Sequence, residues 1–248
     1  MRNLSAFQPS GNTKAYYPLN NNSNDYSGNL NTGTPTDITY PQGRFGQGAK
    51  FNGTSSLITI ADSDSISLTG DFTISFWMKL LANPAGSDAF NIFTKYTPTG
   101  NQRSYQIFYA ENSGNYDMVL TVNADGASAS TAVAWSSLNL GLSNWKHIVV
   151  KYTASTHLSE LYLNGRSISV QDSVRTSIFN STSPLVIGST AAGGSYLNGL
   201  VDEVIIESRA WTAKEVETYY RKSTLNYKPK GLFANLLQSF SNFFAFFQ

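Results

Sequence analysis

The chain has 248 residues, 41% hydrophobic and 13% aromatic, enough for the core of one large all-β domain or two small ones. Only 13% are charged and the formal net charge is +1, which excludes a basic field for nucleic acid and a strong pull toward anionic membranes. Having no cysteine, it excludes disulfides, thiolate metal sites and cysteine nucleophiles.

Residues 1–14 read as an N-terminal arm without the apolar stretch of a signal peptide, and no apolar run in the chain is long enough to span a bilayer. Residues 15–19 read as a short edge strand ended by Pro18. The Asn-rich stretch 20–29 is turn-forming, with disorder as the alternative reading. Gly43, Gly46, Gly48 and Gly53, around Phe45 and Phe51, mark tight turns. A strand follows at 57–60. Residues 72–80 show the cleanest alternation in the chain: Phe72, Ile74, Phe76, Met78 and Leu80 share one face, and Thr73, Ser75, Trp77 and Lys79 the other. Trp77 therefore faces away from the apolar side, and cover by a neighbouring loop is expected.

Further strands are expected at 105–109, 118–122, 147–152, 160–163, 167–170 and 184–187. Asn164-Gly165 between two of them is a strong hairpin signal. Residues 200–206 are apolar on both faces apart from Asp202 and Glu203, as in a strand covered on both sides. Two carboxylates in such a strand require compensation. Thr212 and Glu215 then form a capping box for a short helix whose apolar face holds Val216, Tyr219 and Tyr220. Residues 222–231 read as a linker. In 232–248, Phe233, Leu236, Leu237, Phe240, Phe243, Phe244 and Phe247 recur at the spacing of an amphipathic aromatic helix.

Phe51-Asn52-Gly53, Phe72-Thr73-Ile74-Ser75-Phe76-Trp77, Trp145-Lys146-His147-Ile148-Val149-Val150, Leu161-Tyr162-Leu163-Asn164-Gly165, Leu185-Val186-Ile187-Gly188 and Asp202-Glu203-Val204 occur in the order of a LamG-like domain. The stretch 15–221 resembles that branch of the concanavalin A-like lectin/glucanase superfamily. The resemblance implies an all-β fold: a two-sheet antiparallel jelly-roll sandwich, with one short helix after the last strand. It also implies a structural calcium site in many members. Here Asp202 would be joined by Asp25, Asn20 and carbonyls near Asn52 and Gly53. Calcium takes six to eight oxygen ligands, so such a mixed set is chemically reasonable. The alternative is that Asp202 accepts backbone amides or pairs with a cation.

The related glucanases carry Glu-x-Asp-x-x-Glu on one strand, and this chain has no such pattern. Glu111 stands alone, Glu215 and Glu217 lie on the helix, and Asp62 and Asp64 lie in a turn. Hydrolysis of a glycosidic bond needs two facing carboxylates, so a non-enzyme is expected. His147 reads as a packed structural residue and His157 as a turn residue. Sugar binding needs aromatic faces beside polar groups. Tyr96, Arg103, Tyr105, Tyr109, Asn115, Tyr116, Trp135 and Tyr196 are placed in or near loops as candidates.

The aromatic tail has no Lys or Arg beyond Lys228 and Lys230, so membrane contact is not expected. Burial in a homo-oligomer, or in a larger assembly such as a capsid or phage tail, is. Together these features point to a non-catalytic recognition or decoration module on a virion surface, binding a host glycan and anchored by its tail. The alternatives are an extracellular bacterial carbohydrate-binding protein and a glycoside hydrolase or lyase with an atypical site.

Overall fold

The computed structural model describes residues 7–86, 88–127, 131–172, 175 and 177–226. Among these, the strands in chain order are β1 (Thr13–Tyr17), β2 (Thr34–Thr36), β3 (Ala49–Asn52), β4 (Leu57–Ile60), β5 (Phe72–Leu80), β6 (Ala89–Thr97), β7 (Gln102–Asn112), β8 (Asn115–Val122), β9 (Thr131–Trp135), β10 (Lys146–Thr153), β11 (Leu158–Leu163), β12 (Arg166–Asp172), β13 (Leu185–Ile187) and β14 (Asn198–Glu207). The helix α1 (Ala213–Asn226) follows the last strand.

Two antiparallel sheets make a jelly-roll sandwich. The first runs β1-β14-β5-β10-β11-β12, with β3 also pairing with β14; the second runs β2-β4-β13-β6-β7-β8-β9. The expected alternation of β5 is obeyed. Phe72, Ile74, Phe76, Met78 and Leu80 all enter the core between the sheets, each worth about 1.5–3 kcal/mol of burial. Phe76 meets Phe93 of the opposite sheet edge-on at 4.9 Å.

The other face of β5 is covered as well. Tyr16, Val149, Tyr162, Ile205, Trp211, Val216 and Tyr219 form a second apolar cluster under α1. This outer cluster explains why β14 is apolar on both faces. The capping box forms as expected: the Glu215 amide donates to Thr212 Oγ1 at 3.2 Å and the Thr212 amide to Glu215 Oε2 at 2.7 Å. The helix does not stop where a linker was expected, at 222. It continues to Asn226, with Ser223 buried one turn after Tyr219.

The Asn-rich stretch forms a built edge rather than a loose one. β1 is an outer strand, and side chains dress its free side. The Tyr16 amide donates to Asp25 Oδ1 at 3.0 Å. Asn29 Nδ2 donates to the Thr13 carbonyl and Asn31 Nδ2 to the Lys14 carbonyl, each at 2.7 Å. These amides occupy groups that an open edge would offer to another chain.

Strands β2, β3, β6 and β9 were not expected from sequence. In β6, register shifts between Asn91 and Phe93 and between Lys95 and Tyr96 break the period of two. In β9, Ala132 and Ala134 face outward, so the alternation is of small against large rather than polar against apolar.

Candidate functional site

The turn at Gly43–Gly48 is pinned by side chains from both ends of the chain. Asp202 Oδ2 accepts the amides of Arg44 at 2.7 Å and Phe45 at 2.8 Å. Asn20 Oδ1 accepts the Gln47 amide at 2.9 Å. A side chain at Gly43 would place its Cβ 2.7 Å from Asp202 Oδ2, so the turn needs glycine there to reach the carboxylate. This is the compensation that the buried pair in β14 required. Burial pushes the Asp202 carboxyl well above the usual carboxylate range, Glu203 adds to the rise, and the amides oppose it.

Of the four residues expected to hold calcium, Asp202 and Asn20 pin the same turn, while Asp25 and Gly53 serve other segments. Asp25 is filled by the amides of Tyr16, Ser27 and Asn31 and by the Ser27 hydroxyl. The Gly53 amide donates to the Leu197 carbonyl. Of the three side chains, Asp202 alone keeps an oxygen, Oδ1, without a donor among the described residues. As placed, they do not form one oxygen cage. No group of three or more His, Asp or Glu suited to a metal occurs among the described residues.

The expected aromatic platform divides. Tyr105, Tyr109 and Trp135 are core residues, not loop residues, and this corrects the reading of them as exposed ligand contacts. Each lies on the inward side of its strand, and its polar atom is used internally. Tyr105 donates to the Ile66 carbonyl, Tyr109 to that of Leu138, and Trp135 Nε1 to that of Ser169. Tyr116 stacks on Tyr109 at 5.5 Å. Arg103 Nε donates to the Tyr96 hydroxyl at 3.1 Å, at the turn end of β6 and β7. Tyr196 is half-buried, its hydroxyl beside Gly193. Asn115 is exposed at the β7–β8 turn. The structure does not gather these residues at one place. Phe233, Leu236, Leu237, Phe240, Phe243, Phe244 and Phe247 lie outside the described residues.

Two other surfaces are better organised, and sequence reasoning singled out neither. On the outer face of the second sheet, the period of β7 turns Gln106 and Phe108 away from the core, opposite Asn91 of β6. Gln106 Nε2 bonds Asn91 Oδ1, and the hydroxyls of Thr94 and Thr121 on either side have no partner among the described residues.

The second surface is a cleft of about 470 Å³ where the β11–β12 turn meets α1. Asn164 at φ 52° and Gly165 at φ 78° make the two-residue turn that their sequence announced. Half-buried Tyr220 gives the cleft its aromatic surface, with Tyr162 buried at its base; Asn164 and Arg166 line one wall, and Lys214, Glu217 and Arg221 the other.

The helix residues recur every three or four positions and so share one face. Tyr220 is held rigidly: it stacks on Trp77 at 5.8 Å and 22° and on His147 at 5.8 Å and 19°. Trp77 is also covered by the 43–48 turn, with Phe45 edge-on at 5.5 Å and the Arg44 guanidinium 4.7 Å above its ring. His147 is a packed residue as expected; Nε2 faces Ser75 Oγ at 2.9 Å, and burial pulls its pKa down to about 3, so it is neutral.

A smaller cleft of about 270 Å³ lies along the helix between Phe7, Trp211 and Tyr219.

Known proteins share this architecture. The Laminin_G_3 family, described as a concanavalin A-like lectin/glucanases superfamily domain, matches residues 52–217. Domain 4 of AbnA, a GH43 extracellular arabinanase from Geobacillus stearothermophilus, solved in complex with arabinotriose, is 19% identical with a TM-score of 0.64; the match covers 84% of this chain and 98% of that one. The binding domain of Paraclostridial Mosquitocidal Protein 1 is 20% identical with a TM-score of 0.63, over 84% of this chain and 52% of that one. The binding domain of Botulinum Neurotoxin DC in complex with SialylT is 13% identical with a TM-score of 0.67, over 86% and 52%. This chain therefore spans about half the length of those two toxin domains. No curated protein sequence matches it. With a match from residue 52 to residue 217, the chain belongs to the Laminin_G_3 family of the concanavalin A-like lectin/glucanases superfamily.

Proposed function

We propose that this domain is a non-catalytic glycan-binding module and that the cleft between the β11–β12 turn and α1 is its contact site. The observation that carries the reading is convergence. The half-buried ring of Tyr220 and six polar or charged side chains of unlike hydrogen-bonding character line one cleft of about 470 Å³. Aromatic faces with a few placed polar groups are what a sugar ring requires. Similar folds solved with arabinotriose and with SialylT support the ligand class. At that level of identity the likeness is one of fold, so the site rests on the residues of this chain.

The carboxylates support a binding role rather than hydrolysis. Glu217 is the one acid lining the cleft, whereas glycoside hydrolysis uses two that face each other. Elsewhere, Glu111 Oε1 accepts the Gly114 amide of a turn. Glu207 binds Thr13 through one oxygen and Trp211 Nε1 through the other. Glu160 pairs with Lys151 at 2.5 Å, and Asp62 with buried Lys95 at 2.5 Å.

The test is a glycan array followed by titration calorimetry of the best binder. Tyr220→Ala is expected to weaken binding about tenfold to a hundredfold, the loss of one aromatic contact and its ordering. Because Tyr220 also stacks on Trp77, Lys214→Ala serves as a second variant at an exposed position; it should weaken binding with an unchanged melting temperature. Full affinity in both variants would remove the cleft as the site.

A further inference from the structure

We propose that the cleft selects a sugar ring carrying a carboxylate, with Arg166 as the group that reads it. The inference rests on the cleft being the glycan site. Its basis is the imbalance of charge and of hydrogen-bonding groups there.

Three cations, Arg166, Lys214 and Arg221, line the cleft beside the single acid Glu217. Glu217 bonds Lys214 at 3.0 Å and Arg221 at 3.4 Å along the helix. The guanidinium of Arg166, on the opposite wall, has no hydrogen bond or ion pair to any described residue, while its backbone pairs with Leu163. It is the first residue of β12, directly after the positive-φ pair Asn164-Gly165, so its backbone is set by a tight two-residue turn.

Asn164 adds to the excess of donors. Its Oδ1 accepts the His147 amide at 3.0 Å, which leaves its NH2 group for other partners. Around the cleft, then, stand a guanidinium, an ammonium, an amide NH2 and a second guanidinium, with one carboxylate as acceptor. A neutral sugar offers hydroxyls in balance and would leave these donors underused. A ring bearing a planar carboxylate matches the guanidinium fork with two parallel bonds. Its remaining hydroxyls can donate to Glu217, and its C–H face can rest on Tyr220.

The experiment compares matched probes by calorimetry on the full chain: sialyllactose against lactose, glucuronic acid against glucose, and a sulfated galactose as the tetrahedral anion. The carboxylated member of each pair is expected to bind about tenfold or more tightly than its neutral counterpart. Added salt should narrow that gap. Arg166→Gln should abolish the preference with an unchanged melting temperature, because the side chain is exposed. Arg166→Lys should restore only part of it, since an ammonium keeps the charge and loses the fork.

Equal affinity for charged and neutral probes would overturn the inference, as would a preference that survives Arg166→Gln, or binding of the sulfated probe alone. If neutral probes bind well and Tyr220→Ala weakens them, the cleft remains the glycan site and only the acid preference falls. If no probe's binding responds to Tyr220→Ala, the site falls and the inference with it.

Discussion

Trp77→Ala is expected to lower the free energy of unfolding by about 3–5 kcal/mol, the range for truncating a large buried aromatic. Trp77 is the point at which three separate parts of the chain are fastened. It is 2% exposed although it sits on the outer face of β5. Phe45 and Arg44 cover it from the turn that follows Gly43, His147 flanks it on β10, and Tyr220 of α1 lies over it. The loss should appear in chemical denaturation as a lower midpoint with an unchanged slope. It should also appear as faster amide exchange in α1 around Tyr219 and Tyr220, because the helix loses part of its footing. Trp77→Phe keeps a ring and removes an indole N–H that has no partner among the described residues; its cost should stay below about 1.5 kcal/mol. A Trp77→Ala cost below about 1 kcal/mol would mean that the turn and the helix are not packed on this face.

Asp202 should separate shape from charge. Asp202→Ala removes the acceptor for two amides, those of Arg44 and Phe45. Leaving buried N–H groups unpaired is expected to cost about 1–3 kcal/mol. Asp202→Asn keeps an acceptor oxygen and removes the charge. At pH 7 it should match the wild type or exceed it in stability. The sign follows from the shifted titration. Burial, aided by Glu203, holds the folded carboxyl above its unfolded pKa of 3.8. The folded state therefore keeps its proton more tightly, and this residue's contribution to stability falls as pH rises above about 4. The wild type should thus lose ground against Asp202→Asn between about pH 4 and pH 7 in parallel thermal melts. An asparagine variant more than about 1 kcal/mol less stable at pH 7 would show that the ionised carboxylate is needed where it lies.

What could be read from the sequence was local. The alternation of β5, the Asn164-Gly165 turn and the Thr212/Glu215 capping box each occupy a few consecutive residues, and each forms as their chemistry dictates. The jelly roll followed from the order of such segments. Features built by tertiary contact were not legible. β6 is a central strand, but two bulges erase its period. Tyr105, Tyr109 and Trp135 are buried on strands whose pattern the sequence shows only in part or not at all. Their inward direction is fixed by register against neighbours, as where Met118 of β8 pairs with both Tyr109 and Trp135. The cleft is the clearest case. Its two walls were recognised separately, as a hairpin and as a capped helix. What joins them is the stack of Tyr220 on Trp77 and His147, which no periodicity encodes. Gly165 shows the same limit from the other side: its turn role was plain, but not that a Cβ there would lie 2.8 Å from the Tyr220 ring.

Amide chemical-shift mapping during titration with the glycan that binds best in the array tests the account most directly. Perturbations are predicted at Asn164, Gly165, Arg166 and Ser167 and along the Lys214, Glu217 and Arg221 face of α1. Shifts confined to Asn91, Gln106, Phe108 and Thr121 would place the sugar on the opposite sheet and contradict it.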